Sequence, residues 1–280
     1  MKPVKFTYQL KTISNVILSP REHQAFYENV DFNSSLIKLK NIDKKSKINI
    51  IYPFYQYGLY ETYDPKKAQY YIPGSSLKGA FSIQEKLKHT FMFDDILIEN
   101  SKISLQQLQK VQNINLQEQK HEKIQEQKQI MIDTYFQNLA IEMLNQNETL
   151  QGDMYCQNDI IDTILAEINE KTITKIDQFH TMIQNVLALK KDREFDENCE
   201  NRLQKLQTNV IGLRKRIECI LKNSKKSKTC ILILGGYKGR SLSGIFDKFS
   251  TEFPSAFYLC QESDSDDLPF GIVEITIQSL

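Results

Sequence analysis

The chain has no tryptophan, and its 280 residues include only ten glycines, seven prolines and five cysteines. No two cysteines have Cys-x-x-Cys spacing and the four histidines are scattered, so neither a disulfide framework nor a structural zinc site is expected. No apolar run approaches the roughly 20 residues that cross a bilayer, and the first residues lack the apolar core of a signal peptide. We therefore expect a cytoplasmic protein with free thiols, no metal, no cofactor and no membrane association.

The charge is nearly balanced, with a formal net charge of +1. A hydrophobic content of 40% and a charged content of 25% are ordinary for a folded protein. The balanced charge argues against a large basic surface that binds nucleic acid without selectivity. Any contact with RNA must come from local clusters of basic residues.

A strand, a tight turn and a helix follow one another in the first third of the chain. Apolar, β-prone residues run over Ala68–Ile72, and a Pro-Gly-Ser-Ser turn follows them. Apolar residues then recur at helical spacing, which predicts a helix over Gly74–Lys88. Either Ser75 or Ser76 can cap its first turn, where the amide groups lack partners within the helix.

Two residues of that helix are unfavourable for a helix start. Lys78 puts a cation in the first turn, which the helix dipole disfavours by about 0.3–1 kcal/mol, and no acid follows before Glu85. Gly79 costs about 1 kcal/mol relative to alanine. Free amides, two hydroxyls, a lysine and a glycine that permits close approach suit a phosphate group. The alternative is an ordinary capped helix whose lysine extends into water.

A second glycine-bearing turn repeats this arrangement near the end of the chain. The strand Cys230–Leu234 runs into a turn of glycine, lysine and arginine, and a short helix is predicted over Leu242–Phe249. Glycines allow a phosphate to approach, the two cations neutralise it, and the tyrosine can stack on a base. The alternative is a flexible turn. The residues concerned are Gly235, Gly236, Tyr237, Lys238, Gly239 and Arg240.

The order of predicted elements indicates an α+β fold. Alternation over Val4–Leu10 predicts a half-buried first strand, and Gly271–Ile277 reads as the closing strand that pairs with it. Strand, helix, strand, insertion, strand, helix, strand is a ferredoxin-like (RRM-like) βαββαβ pattern. We assign residues 1–103 and 229–280 to this domain and 104–228 to a large helical insertion.

The insertion is rich in Gln, Lys, Glu and Asn. Four helices are predicted in it, and the last two are expected to pair as a hairpin through a heptad-like seam. A glutamine-rich run, Gln117–Gln129, could instead be partly disordered. The four helices are Lys128–Gln146, Asp159–Glu170, Thr174–Lys190 and Asp196–Lys222. Shorter elements are predicted as strands at Leu36–Lys40, Ile48–Tyr52 and Ile96–Ile103 and as a solvated acidic loop at Glu262–Asp267.

The segment Pro73–Gly79 resembles the Pro-Gly-Ser-Ser-Leu-Lys-Gly signature of the RAMP superfamily. Those proteins are RNA-binding subunits of type III CRISPR effector complexes (Csm and Cmr) with ferredoxin-like folds. Their signature usually continues with an arginine where this chain has Ser82. The turn Gly235–Ser241 resembles the family's glycine-rich loop, and Leu268–Glu274 looks like the C-terminal end of the Csm subunit at the crRNA 3′ end.

This resemblance implies a non-catalytic subunit that holds the crRNA backbone near its 3′ end in antiviral defence. Its partners would be crRNA and other type III effector subunits, with target RNA as a further candidate. One phosphate region would lie at one turn and another at the second, where Tyr237 stacks. The expected contacts at the first turn are Gly74, Ser75, Ser76 and Lys78.

Three other functions are alternatives from the sequence. A Cmr-type subunit carries the same signature. A metal-dependent ribonuclease could use Asp94, Asp95 and Asp31, although paired acids before a strand are also typical of solvated turns. A scaffold protein could bind partners through the coiled-coil-like helices, with both glycine-bearing segments acting as simple turns.

Overall fold

The computed structural model describes residues 3–19, 24–33, 35, 47–58, 61–81, 91–120, 123–157, 160–191, 194–195, 197–223, 228–238, 242, 257–260 and 267–278. Over these residues the chain is a mixed α+β protein with three α-helices and four sheets. The helices are α1 (Gly74–Phe81), α2 (Ile161–Ala188) and α3 (Glu197–Lys222). The strands are β1 (Val4–Thr12), β2 (Phe26–Tyr27), β3 (Ile50–Tyr52), β4 (Tyr70–Ile72), β5 (Met92–Phe93), β6 (Ile96–Ile98), β7 (Ile103–Gln106), β8 (Leu108–Lys120), β9 (Lys123–Tyr135), β10 (Leu139–Leu144), β11 (Thr149–Cys156), β12 (Glu194–Phe195), β13 (Thr229–Ile233), β14 (Phe257–Cys260) and β15 (Ile272–Gln278).

The largest sheet joins the two ends of the described chain. Its strand order is β13-β15-β1-β11-β5, and every neighbouring pair is antiparallel. β1 alternates as the sequence predicts, with Tyr8 and Leu10 fully buried. Leu10 lies opposite Ile275 of β15, which confirms the predicted pairing of the opening and closing strands.

The helix α1 packs on the core that this sheet forms. Its Leu77 and Phe81 are buried in the same cluster as Tyr8, Leu10 and Ile275. α1 begins at the predicted residue, immediately after β4 and Pro73. The core therefore fixes the position of the Pro-Gly-Ser-Ser turn relative to β1 and β15.

α2 and α3 form the predicted helical pair. The predicted seam of α3 is buried between them, as Leu203, Leu206 and Val210 illustrate. The break that we expected between Glu170 and Thr174 does not occur, because α2 runs on continuously to Ala188. Thr172, inside that expected break, is 4% exposed, so packing overrides its low helix propensity.

The predicted helix Lys128–Gln146 is wrong, because this segment forms β9 and β10. β9 pairs with β8 along 13 residues of each strand, so cross-strand hydrogen bonds outweigh the helix propensity of Gln, Lys and Glu. The run Gln117–Gln129 likewise lies in this hairpin, apart from two residues outside the described part. In the described part of 104–228 the α-helices are therefore α2 and α3, and β11 belongs to the largest sheet.

Several other predictions meet the structure only in part. The predicted strand Ile48–Tyr52 is confirmed over Ile50–Tyr52, which is β3. Ile96–Ile103 divides into β6 and β7 around a 3₁₀ turn. Asp267, predicted to be solvated, is 5% exposed and pairs with Arg202 at 2.8 Å. Four predicted segments lie wholly or mostly outside the described residues: 36–40, 82–88, 243–249 and 262–266. Among the helices that the structure describes, none combines the length and apolar character needed to span a membrane.

Candidate functional site

The two glycine-bearing turns meet at one pocket of about 300 Å³. Residues of α1, of the turn after β13 and of the segment after β1 all line it. Of the residues expected at the first phosphate region, Ser76 alone lines this pocket, whereas all the described residues expected at the second region do. The lining residues are Ser76, Gly79 and Ala80 of α1, Gly235, Gly236, Tyr237 and Lys238 of the later turn, and Ile17, Leu18, Ser19 and Tyr55.

The start of α1 is held by an acid from a distant part of the chain. Asp95, in the loop between β5 and β6, accepts a hydrogen bond from the Gly74 N–H at 2.7 Å. The Ser76 and Leu77 N–H groups donate to the Pro73 carbonyl at 2.9 and 3.3 Å. The expectation of free amides is therefore wrong for Gly74, Ser76 and Leu77. Asp95 supplies the negative charge that the helix dipole favours.

Gly74 is a glycine for reasons of packing. A Cβ atom built on it would lie 2.1 Å from the backbone oxygen of Phe93, a distance that no real side chain could adopt. Its N–H is already bonded to Asp95. Gly74 thus positions α1, and it does not line the pocket.

Gly79 differs from Gly74 in having no packing requirement. A Cβ built there would have nothing within 4 Å, although the residue lies in a helix and borders the pocket. Ser76 also borders the pocket, whereas Ser75 and Lys78 are exposed outside its wall. The helix therefore contains a glycine that costs stability and leaves the pocket open at that point.

The later turn is built around close backbone contact. Gly235 has a φ of +88°, and a Cβ on it would lie 2.3 Å from the Ile17 carbonyl oxygen. The Gly236 N–H donates to that same oxygen at 2.8 Å. These two glycines bring the turn against the segment after β1 and so shape the pocket. Gly239 and Arg240 lie outside the described residues.

Tyr237 and Lys238 supply the aromatic ring and the positive charge of this turn. Tyr237 has a left-handed φ of 54°, and its ring lies edge-on to Tyr135 and Tyr258, with centroids 6.3 and 5.6 Å away. Lys238 Nζ donates to the Ile233 carbonyl at 3.2 Å. Lys238 is the one charged side chain among the described residues that line the pocket, so the lining carries a positive charge.

The three aspartates of the ribonuclease alternative have separate structural partners. Asp31 accepts a hydrogen bond from the Tyr27 N–H at 2.7 Å, and Asp94 accepts one from the Tyr155 hydroxyl at 3.3 Å. Asp95 holds Gly74. Within the described ranges, no group of three or more His, Cys, Asp or Glu residues is placed to hold a metal ion.

Sequence reasoning missed part of the pocket wall. Ile17, Leu18 and Ser19 have no recognisable motif, and only the fold brings them to the second turn. Tyr55 had a weak signal, because it alternates with Tyr57 in an aromatic segment. Comparison with known families and proteins adds no identification: no family model matches the chain, and no curated protein matches it.

Proposed function

We propose that this protein binds RNA through the sugar-phosphate backbone, as a non-catalytic subunit of a type III CRISPR effector complex that holds the crRNA near its 3′ end. The proposal rests on the resemblance at Pro73–Gly79 and on one structural observation. Two turns that are 155 residues or more apart in sequence line a single pocket with a lysine and an unrestricted helix glycine.

The chemistry of the pocket suits one phosphate group. Gly79 leaves room for close approach, the Ser76 hydroxyl can donate a hydrogen bond, and Lys238 can neutralise the charge. Contacts of this kind carry no base information, so they suit a subunit that must accept guides of any sequence. Lys78, exposed on α1, would extend the positive charge towards the next phosphate.

The ferredoxin-like classification is part of this proposal. β1 lies beside the closing strand β15, as that fold requires. The antiparallel pairing of β1 with β11 departs from the parallel central pair of that fold, so the resemblance would cover only part of the sheet. We further propose a cytoplasmic location and other effector subunits as partners, with a Cmr-type complex as the nearest alternative.

A charge-reversal variant with a matched control tests the pocket. Gly79→Glu adds an acid at the pocket, and Gly212→Glu adds the same acid at a second helical glycine whose Cβ position is equally open. We expect Gly79→Glu to weaken binding of labelled single-stranded RNA at least about tenfold, because the carboxylate repels the phosphate. The slope of log affinity against log salt should fall by about 0.7 for each lost phosphate contact.

Equal RNA affinities for the two variants would contradict the proposal. Circular dichroism melting of both proteins checks that folding is retained. Mg²⁺-dependent cleavage of the same RNA would instead favour the ribonuclease alternative. Sequencing of RNA that co-purifies with the chain then tests whether the bound species is a crRNA.

A further inference from the structure

Three tyrosines share one face of the short antiparallel pairing that leads into α1. The Tyr57 N–H donates to the Gln69 carbonyl and the Tyr71 N–H to the Tyr55 carbonyl, each at 3.0 Å. Side chains alternate along paired strands, so Tyr55, Tyr57 and Tyr71 lie on the same side. Tyr70, which immediately precedes Tyr71, lies on the opposite face of the pairing and is 1% exposed.

Two of these rings form a parallel stack at the surface. The centroids of Tyr57 and Tyr71 are 3.9 Å apart with an angle of 8° between the rings, and Tyr57 is 37% exposed. The Tyr57 hydroxyl donates to Asp95 at 2.6 Å, which holds the far end of the ring. This hydrogen bond raises the pKa of Tyr57 to about 12, so the hydroxyl remains protonated and keeps donating to Asp95 at physiological pH.

The stack is continuous with the pocket. Tyr55 lines the pocket, and its ring lies 5.9 Å from that of Tyr71 at an angle of 60°. A row of aromatic rings therefore leads from the pocket wall through Tyr71 to exposed Tyr57. The same Asp95 side chain fixes both the outer ring and the start of α1, so the row and the pocket are held in register.

We propose that the Tyr57–Tyr71 stack is a platform for one nucleobase of the strand whose phosphate occupies the pocket. This inference rests on the proposed function. It adds a base-stacking subsite to a backbone-binding site. Every base has a π-face, so stacking adds affinity without selecting sequence. The ring pair is already fixed in place, which lowers the entropic cost of ordering it on binding.

The test compares two probes of equal length, single-stranded RNA and an abasic sugar-phosphate oligomer. Wild-type protein should prefer the RNA over the abasic oligomer by about fivefold or more, the range expected for one stacked base. The Tyr57→Leu variant should lose most of that preference for RNA. The separate Tyr57→Phe variant should keep it, because the aromatic ring remains. The matched control is Tyr27→Leu, which removes another exposed tyrosine, 52% exposed on β2, and should keep the preference.

The outcomes separate this inference from the function on which it depends. If the wild type binds both probes equally, or Tyr57→Leu keeps the wild-type preference, the platform is overturned while backbone binding stands. If the wild type binds neither probe, the proposed function fails and the platform with it. Should Tyr57→Leu not fold, the fluorescence of 2-aminopurine placed along the RNA reports stacking on the wild type, and absence of quenching at every position overturns the platform.

Discussion

Glu142 of β10 shows how a single buried carboxyl organises its surroundings. It is 1% exposed and accepts hydrogen bonds from the Phe54 N–H and from the Tyr63 and Tyr70 hydroxyls, at 2.9, 2.9 and 2.5 Å. Burial raises the pKa of this carboxyl, and the three hydrogen bonds limit the rise. The segments after β3, before β4 and within β4 are thus all attached to one residue of β10.

The raised pKa of Glu142 predicts a measurable pH dependence. The folded state holds the proton more tightly than the unfolded state, so the free energy of unfolding should fall as the pH rises from the ordinary value of 4.5 through the folded-state pKa. Glu142→Gln removes this ionisation and should flatten that part of the profile. Urea unfolding followed by circular dichroism from pH 4.5 upward measures it. The exposed control Glu99→Gln should keep the wild-type slope, and an unchanged slope in Glu142→Gln would contradict the prediction.

At the scale of elements, α1 depends on an acid that is not part of it. The helix has eight residues and no acid in its first turn, so Asp95 provides the charge at its N-terminus. This contact spans 21 residues of sequence. No local sequence pattern predicts the hydrogen bond between Gly74 and Asp95. The sequence predicted only a turn residue or a metal ligand at Asp95.

Asp95→Asn tests that contact. The amide oxygen can still accept a hydrogen bond from Gly74, but the charge is lost, so we expect the free energy of unfolding to fall by about 1 kcal/mol. Its neighbour Asp94 is exposed and its carboxylate accepts from the Tyr155 hydroxyl, so Asp94→Asn should change stability by less than about 0.5 kcal/mol. Urea titrations of the two variants side by side decide the matter, and equal stabilities would show that Asp95 has no special role.

Elements with strong periodicity could be predicted, whereas those that depend on distant pairing could not. β1 alternates clearly, and the seam of α3 repeats every three and four residues, so both were found. β9 contains good helix formers, which favoured the wrong prediction of a helix. Its Ile130 and Ile132 are spaced by two, which is typical of a strand. Only its pairing with β8 decides the conformation, and a single segment does not contain that information.

At the scale of the molecule, the helical pair is joined to the largest sheet through Asn169. This side chain is fully buried in α2 and pairs with the outer strand β13. Its Oδ1 accepts from the Ile231 N–H at 2.9 Å and its Nδ2 donates to the Thr229 carbonyl at 3.0 Å. One asparagine thus satisfies backbone groups that an additional strand would otherwise pair.

Asn169→Ala should destabilise the whole protein. The buried Ile231 N–H would lose its acceptor and the partly buried Thr229 carbonyl one donor, and losing such a bond costs about 1–3 kcal/mol. We expect a total loss of about 2–4 kcal/mol in a single cooperative transition, seen at the same urea concentration by far-UV and near-UV circular dichroism. Gln178→Ala, on the exposed side of α2, is the control and should stay within about 0.5 kcal/mol of wild type. Separate transitions for helices and sheet would contradict this coupling.

The pocket itself belongs to the molecular scale, which explains how little of it the sequence revealed. Both turns could be recognised from their glycines and lysines, because those residues are adjacent in sequence. Residues from both segments line one pocket because β1, β13 and β15 lie side by side in one sheet and because Gly235 contacts Ile17. The contact between the segment after β1 and the later turn has no local signature.

The residues that line the pocket are also synthesised in a fixed order. Its walls include Ile17, Gly79 and Lys238, which emerge from the ribosome in that sequence. A nascent chain that stops short of Lys238 lacks the one charged side chain of the described lining, and β13 cannot pair with β15 until Ile272–Gln278 has been made. Any ligand that contacts both α1 and Lys238 must therefore bind after translation has passed Lys238, so it cannot assist the folding of a shorter nascent chain.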